Sequence, residues 1–219
     1  MTSSDTRPLA EELLLLCADP VSGRLRSPTA FPTAIAGAVL AEMQLTGTIT
    51  VEGRRITAFA RSGGHDELTT RVLTALERAG TSHRRTTLDH ALGTLRYRSG
   101  PRRYLDRLTD QGVLTVRSPA FLGLPRRRWT AVRPDTGALI AERVAATLAR
   151  TAGSGPTNPA EQRDHQLAGL IGAAHLERRL YPGTAGEPTR RVVRQLAHGL
   201  LVPQAVNRAA ARRRRAMSS

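Results

Sequence analysis

The 219-residue sequence has no lysine, one cysteine and only 3% aromatic residues. Each shortage excludes something. With Cys17 alone, no disulfide can form within the chain and no cysteine-based metal site can assemble. Beside the run Leu13 to Leu16, that thiol reads as a small core residue. With so few aromatics, an interior must be built from Leu, Ala, Val and Ile, and such a composition favours helix. The longest apolar run, Ala34 to Leu45, is too short for a membrane span and contains Glu42. The N-terminal MTSSDTRPLAEE is polar and acidic, unlike a signal peptide. The expectation is a cytoplasmic protein, or one peripheral on the cytosolic face of a membrane.

Catalytic patterns are also missing. The histidines form no HExxH and no zinc-finger spacing. His165 and His175 lie ten apart on one predicted helix, roughly on one face, with no third ligand in sight. Ser62-Gly63-Gly64 is followed by no Lys-Ser/Thr, as a phosphate-cradling loop would require. There is no GxSxG elbow. The sequence therefore reads as a non-enzyme with no catalytic residues, no metal and no cofactor.

What is abundant is arginine. All 33 bases are arginine against 18 acids, a formal net charge of +15. A GC-rich coding bias explains arginine over lysine more easily than it explains base over acid. The excess points to an anionic partner: nucleic acid, lipid headgroups or an acidic protein. The guanidinium fork suits bidentate contact with phosphate.

Apolar periodicity predicts a mainly α fold: one helical domain over 8–211, with about eight helices and one or two β-hairpins. Residues 1–7 read as a disordered N-terminus and 212–219 as a disordered basic tail. Leu13 to Leu16 predict a helix apolar on all sides, hence buried. Alanines in Thr33 to Leu45, and Gly169 and Gly172 in Pro159 to Leu180, predict close helix packing. Glu52-Gly53-Arg54 marks a hairpin. Helices are predicted over Asp66 to Ala79, Thr87 to Tyr97 and Asp135 to Arg150, the last with Leu139, Ile140, Val144 and Leu148 as its apolar set. A last helix, Thr189 to Arg214, breaks at Pro203.

The stretch Pro101 to Pro134 carries the functional argument. Tyr104, Leu105 and Leu108 give its helix an inner face, while Arg102, Arg103, Asp106 and Arg107 crowd the rest. Gly112 ends the helix, and a hairpin follows at about 113–133. Its tip, Ala120-Phe121-Leu122-Gly123-Leu124, is apolar and flanked by Arg117, Arg126, Arg127 and Arg128. Loop tips are normally polar. Bulky apolar groups there call for burial in a bilayer interface, a partner subunit or the protein's own core. The order of helices followed by a hairpin also fits a winged helix with a basic third helix in a major groove. Against that, a wing on phosphate should be polar, and the helix offers few groups for base edges.

Three segments together resemble the Golgi phosphoprotein 3 family, which has bacterial, especially actinobacterial, members. EELLLLCADPVSGRL is similar to its first helix and turn, and AGAVLAEMQLTGTITVEG to its second helix and hairpin. LDRLTDQGVLTV with the following hairpin is similar to its most recognisable segment. The resemblance runs from about Leu9 to Ala211 and implies a mainly α fold with a protruding hairpin. It implies peripheral membrane binding through a phosphorylated phosphoinositide headgroup, phosphatidylinositol 4-phosphate in eukaryotic members. The hairpin then supports membrane insertion and self-association. Of the family's two arginines before the LxxxGVL segment, the first falls on Arg98 and the second on Pro101, with Arg102 and Arg103 adjacent. The family's early tryptophan falls near Pro28 and its early arginine on Ala36, with Arg24 and Arg26 in the same loop. The implied partners are anionic membrane lipids, gripped by Arg98, Arg102, Arg103, Arg24 and Arg26. Phe121, Leu122 and Leu124 would insert or oligomerise. Protein cargo tails are further candidate partners, and nucleic acid is the alternative.

Overall fold

The computed structural model describes residues 7–26, 31–60, 87–98, 101–117, 120–121, 124–125 and 127–217, with Thr70 and Thr74 as isolated helical positions. The expected helix Asp66 to Ala79 otherwise lies outside the described residues, as do the Ser62 to Gly64 loop, Pro28, Leu122 and Arg126. For Arg98, Phe121 and Leu124 the description stops at the backbone.

Helix α1, Leu9–Leu15, is buried along its whole length and touches three or more neighbours. Its leucines meet the interior on every side, as a helix without a polar face must. Glu11 and Glu12 are buried too, so each needs a cationic partner. Arg107 reaches Glu11 at 3.0 Å and Arg143 reaches Glu12 at 2.8 Å. Cys17 follows in the core, where burial pushes its thiol up to about 12.

Helix α2, Phe31–Leu45, packs its alanine face inward. A Cβ on Gly37 would lie 2.2 Å from Val206 Cγ2, so only glycine admits that crossing. At Gly169 and Gly172 a Cβ would lie 2.7 Å from Pro203 and 2.8 Å from Val193, which fulfils the close packing expected of them. Strands β1, Ile49–Glu52, and β2, Arg55–Phe59, form the expected hairpin.

Helix α3, Leu88–Arg98, leads into α4, Pro101–Asp110. Tyr104, Leu105 and Leu108 are buried, while Arg102 and Arg103 are exposed. After Asp110 the chain reverses: Gly112 adopts φ +71°, and the Val113 N–H donates back to the Leu108 carbonyl at 2.9 Å. The hairpin follows as β3, Leu114–Arg117, and β6, Arg128–Ala131. At its far end β4, Ala120–Phe121, and β5, Leu124–Pro125, pair antiparallel, so the tip continues as a second short ladder.

Helices α5, Thr136–Arg150, and α6, Pro159–Ala173, pack side by side. Arg143 of α5 joins Glu12 of α1 to Asp164 of α6, and Thr147 Oγ1 donates to Asp164 at 2.8 Å. Arg163 adds Glu42 at 2.6 Å, whose other oxygen accepts from the Leu9 N–H at 2.7 Å. Acids from three helices, Glu12 and Asp164 buried and Glu42 partly so, are thus compensated by two arginines. Beyond lie α7, Glu177–Leu180, α8, Glu187–Gly199, and α9, Leu201–Met217. The described residues therefore hold nine helices and three small antiparallel pairs, a mainly α architecture.

Five expectations need correction. Leu139 is 52% exposed and does not belong to the core face of α5. The helix predicted over Pro159 to Leu180 stops at Ala173, because His175 takes φ +58°. The Leu176 N–H then donates to the Ile171 carbonyl, and the His175 N–H to Gly172, the paired bonds of a left-handed helix stop. His165 and His175 consequently share no helix face: His165 bonds Thr151, and His175 meets Arg214. The last break falls at Leu200, which is extended, and Pro203 sits in the first turn of α9, where its missing N–H costs nothing. Finally, the tail expected to be disordered is helical through Met217. Arg212 there reaches Asp89 at 2.5 Å, and Asp89 also accepts from Arg54 at 2.8 Å.

Candidate functional site

The loop that follows α1 is built as a strand addition to the hairpin. Asp19 shapes its turn: one carboxylate oxygen accepts from the Ser22 N–H at 2.8 Å and the Ser22 hydroxyl at 2.9 Å. Those bonds hold the Asp19 carboxyl below its ordinary range. Gly23 takes φ +67°, and a Cβ there would lie 2.7 Å from the Ala131 carbonyl oxygen. No other residue fits that corner without strain. The chain then runs antiparallel to β6. The Ala131 N–H donates to Gly23 at 2.8 Å, the Leu25 N–H donates to Trp129 at 3.1 Å, and Arg24 sits opposite Thr130. On its other side the same segment pairs with residues 17–19, through Arg26 N–H to Cys17 at 2.9 Å and Asp19 N–H to Arg24 at 2.9 Å.

Arg179 of α7 locks this arrangement. It faces backbone rather than an acid, donating to the carbonyls of Leu16 at 2.5 Å and Arg26 at 3.2 Å. A cation is well placed there, since the carbonyls at the end of α1 have no helical partners.

Arg24 and Arg26 are therefore fixed beside the hairpin, and both are exposed. The hairpin runs back along α4, as the Arg127–Asp106 pair at 3.6 Å records. Both members of that pair are about half exposed, so it marks proximity more than it stabilises. Arg102 and Arg103 stand in the first turn of α4, where no acid accompanies them. Cations there oppose the helix dipole, and an anion would relieve the conflict. Neither makes an ion pair among the described residues.

Other predicted positions fall elsewhere. Arg107 is committed to Glu11 in the core. Ala36, where the family's early arginine would fall, is completely buried in α2, with no room for a guanidinium or a ligand. A cationic feature that sequence reading passed over lies on α8. A shallow depression of about 530 Å³ is lined by Arg191, Arg194, Gln195, His198 and Gly199. The signal was the spacing of its bases along one helix face, hidden within a chain where arginine is everywhere.

A helix-rich body that sets exposed arginines beside a hairpin defines a mainly α protein with a cationic, hairpin-bearing surface. Comparison with protein families makes this specific: the model of the Golgi phosphoprotein 3 (GPP34) family matches residues 9–212, nearly the whole sequence. The chain belongs to that family. No curated protein matches it. Among the described residues, no helix is long and apolar enough to cross a membrane.

Proposed function

We propose that the protein is a non-catalytic peripheral membrane protein that binds anionic lipid headgroups, with a phosphoinositide as the narrowest form of the ligand. Arg98, Arg102 and Arg103, helped by Arg24 and Arg26, grip phosphate. Phe121, Leu122 and Leu124 at the hairpin tip enter the acyl boundary or join a second copy. The protein works on the cytosolic face of a membrane, and cargo tails of membrane proteins are its further partners. The observation that carries this reading is the stitching of the Arg24–Arg26 segment onto β6, the strand that leads from the apolar tip. It ties cationic and apolar elements to one hairpin. Membership of the family supports the same reading.

Co-sedimentation with liposomes tests it. Binding is expected to anionic but not neutral vesicles, and Phe121→Asp is expected to weaken it strongly. Equal binding to both vesicle types, or no effect of Phe121→Asp, sinks the proposal. The helix-and-hairpin order of α3, α4 and β3–β6 keeps DNA as the competing outcome. Retardation of random duplex DNA with a steep salt slope, lost on changing Arg102 and Arg103, would favour it.

A further inference from the structure

One carboxylate gathers cations from two separate parts of the fold. Asp89, in the first turn of α3, accepts from Arg54 at 2.8 Å on one oxygen and from Arg212 at 2.5 Å on the other. Arg208 stands behind with its Nη2 4.0 Å away, too far for a hydrogen bond. Burial raises the Asp89 carboxyl, but the bonds from Arg212 and Arg54 win and hold it below its ordinary range. Asp89 is therefore ionised near neutral pH, and three arginines against one aspartate leave positive charge in excess. Among the described residues these arginines make no other ion pair.

The fold fixes the cations in place. Arg54 closes the β1–β2 turn, and its carbonyl accepts from the Leu88 N–H at 2.9 Å, while Arg55 bridges Thr87. The turn is thus pinned to the start of α3. Arg208 and Arg212 lie one helical turn apart on α9, which packs against α3. Arg208 is the deepest of the three: its Nη1 donates to Gln204 at 2.7 Å, and its Nε and Nη2 are buried without an acceptor. A guanidinium so placed is costly unless further negative charge balances it. Arg54 and Arg212 are 63% and 56% exposed, and each bonds Asp89 through a single nitrogen. The remaining donors of both forks have no partner among the described residues.

We infer that Arg54, Arg208 and Arg212 form a binding site for a soluble oligophosphate, of which inorganic pyrophosphate is the simplest. Three features select that class. A surplus of positive charge calls for a multivalent anion. Guanidinium forks match phosphate oxygens in pairs. Asp89 stands between the two exposed arginines and repels an anion at the centre, so the ligand must reach both flanks at once. Two linked phosphoryl groups do that; a lone phosphate does not. Arg208, being deeper, contributes its field rather than a contact. None of these residues belongs to the hairpin or to α4, and the inference does not depend on the membrane reading. The bound ligand ties the arginine-rich end of α9 to α3 and to the β1–β2 turn.

Calorimetric titration of the full chain with magnesium-free pyrophosphate tests this, against phosphate and chloride at matched ionic strength. Pyrophosphate should bind at least about tenfold more tightly than phosphate. It should also slow amide exchange across residues 208–217. Arg54→Ser and Arg212→Ser should each weaken binding about tenfold. Arg54 is an exposed turn residue, so its loss is read on a folded protein. Asp89→Asn separates a ligand site from a salt bridge that only braces the fold. It removes the competing carboxylate, so pyrophosphate should bind about fivefold more tightly or better, even as the end of α9 loosens. Equal affinity for phosphate and pyrophosphate, wild-type binding by Arg54→Ser, or no gain in Asp89→Asn overturns the inference. So does loss of pyrophosphate binding in Arg102→Ser/Arg103→Ser, which would place the ligand on α4. Vesicles carrying phosphatidylinositol 4-phosphate distinguish the source of the phosphate: Arg54→Ser/Arg212→Ser should bind them as wild type does. Loss of vesicle binding in that variant assigns the cluster to lipid and overturns the soluble ligand. Failure of the wild type to bind vesicles, with pyrophosphate binding intact, supports this site and overturns the membrane reading alone.

Discussion

Replacing Arg143 with methionine should expose how much the interior depends on its compensated charges. Arg143 donates to both Glu12 oxygens, at 2.8 and 3.1 Å, and its Nε donates to Asp164 at 3.0 Å. Burial alone disfavours its charge, but the bonds from Glu12 and Asp164 win and hold its pKa above the ordinary value. Glu12 and Asp164 are only 3% and 5% exposed. Removing one partner of such a pair strands charge in the interior and costs about 3–5 kcal/mol. Two features reduce that here. The Arg143 side chain is 44% exposed, so solvent already screens part of the attraction. Arg163 still lies 3.9 Å from Glu12, and Thr147 still donates to Asp164 at 2.8 Å. The expected loss is therefore about 2–3 kcal/mol. At this chain length that lowers Tm by roughly 5–10 °C. Urea unfolding followed by far-UV circular dichroism, with calorimetry alongside, measures both. The double variant Glu12→Gln/Arg143→Met should cost at least about 1 kcal/mol less than the two single changes added together. A loss under about 1 kcal/mol for Arg143→Met, or strict additivity in the double variant, refutes the reasoning.

Glu161 offers a pH test. The Thr157 N–H and hydroxyl, each 2.8 Å away, hold its carboxyl down to about 2. Its contribution is therefore full above the unfolded value of about 4.3 and is lost as pH falls toward the folded one. The Tm deficit of Glu161→Gln should be constant near neutrality and shrink in that acid window; a deficit independent of pH counts against it. Gly23→Ala places a Cβ 2.7 Å from the Ala131 carbonyl at a φ of +67°. It should cost about 1–2 kcal/mol or more and speed amide exchange at Leu25 and Ala131, whereas unchanged exchange would show the corner to be tolerant. Cys17, raised to about 12 by burial, should resist a disulfide reagent at pH 8 and react once the protein is unfolded. Rapid reaction of the folded protein would contradict that burial.

Sequence periodicity reached the helices whose faces are unambiguous. α4 declared itself through Tyr104, Leu105 and Leu108, and α1 through its leucine run, because burial dictates those patterns directly. Leu139 misled because spacing alone cannot say which edge of an apolar stripe meets solvent. The stop after Ala173 was hidden because His175 fills a position usually given to glycine. The helical tail was hidden because a run of arginines says nothing of acids elsewhere, here Asp89, that neutralise it. For the candidate site, arginine-rich segments were readable, but their grouping was not. That Arg24 and Arg26 flank β6 depends on backbone pairings between residues more than a hundred positions apart. Which face Arg117 and Arg128 occupy depends on register, which the hydrophobic pattern of so short a hairpin fixes only weakly.

The segment from Cys17 to Arg26 is held by ladder bonds to β6, a glycine corner, Arg179 grasping carbonyls, the Asp19 carboxylate in its turn, and the packing of Cys17, Ala18 and Leu25 on the core. The identities of Arg24 and Arg26 contribute little to that anchoring. The loop therefore behaves as a replaceable cassette. Its exposed side chains can be exchanged, by drift or by design, while the fold that displays them stays in place. A library varied at positions 24 and 26 alone should yield folded proteins of graded surface preference, which makes this corner a natural point from which binding specificity could diverge.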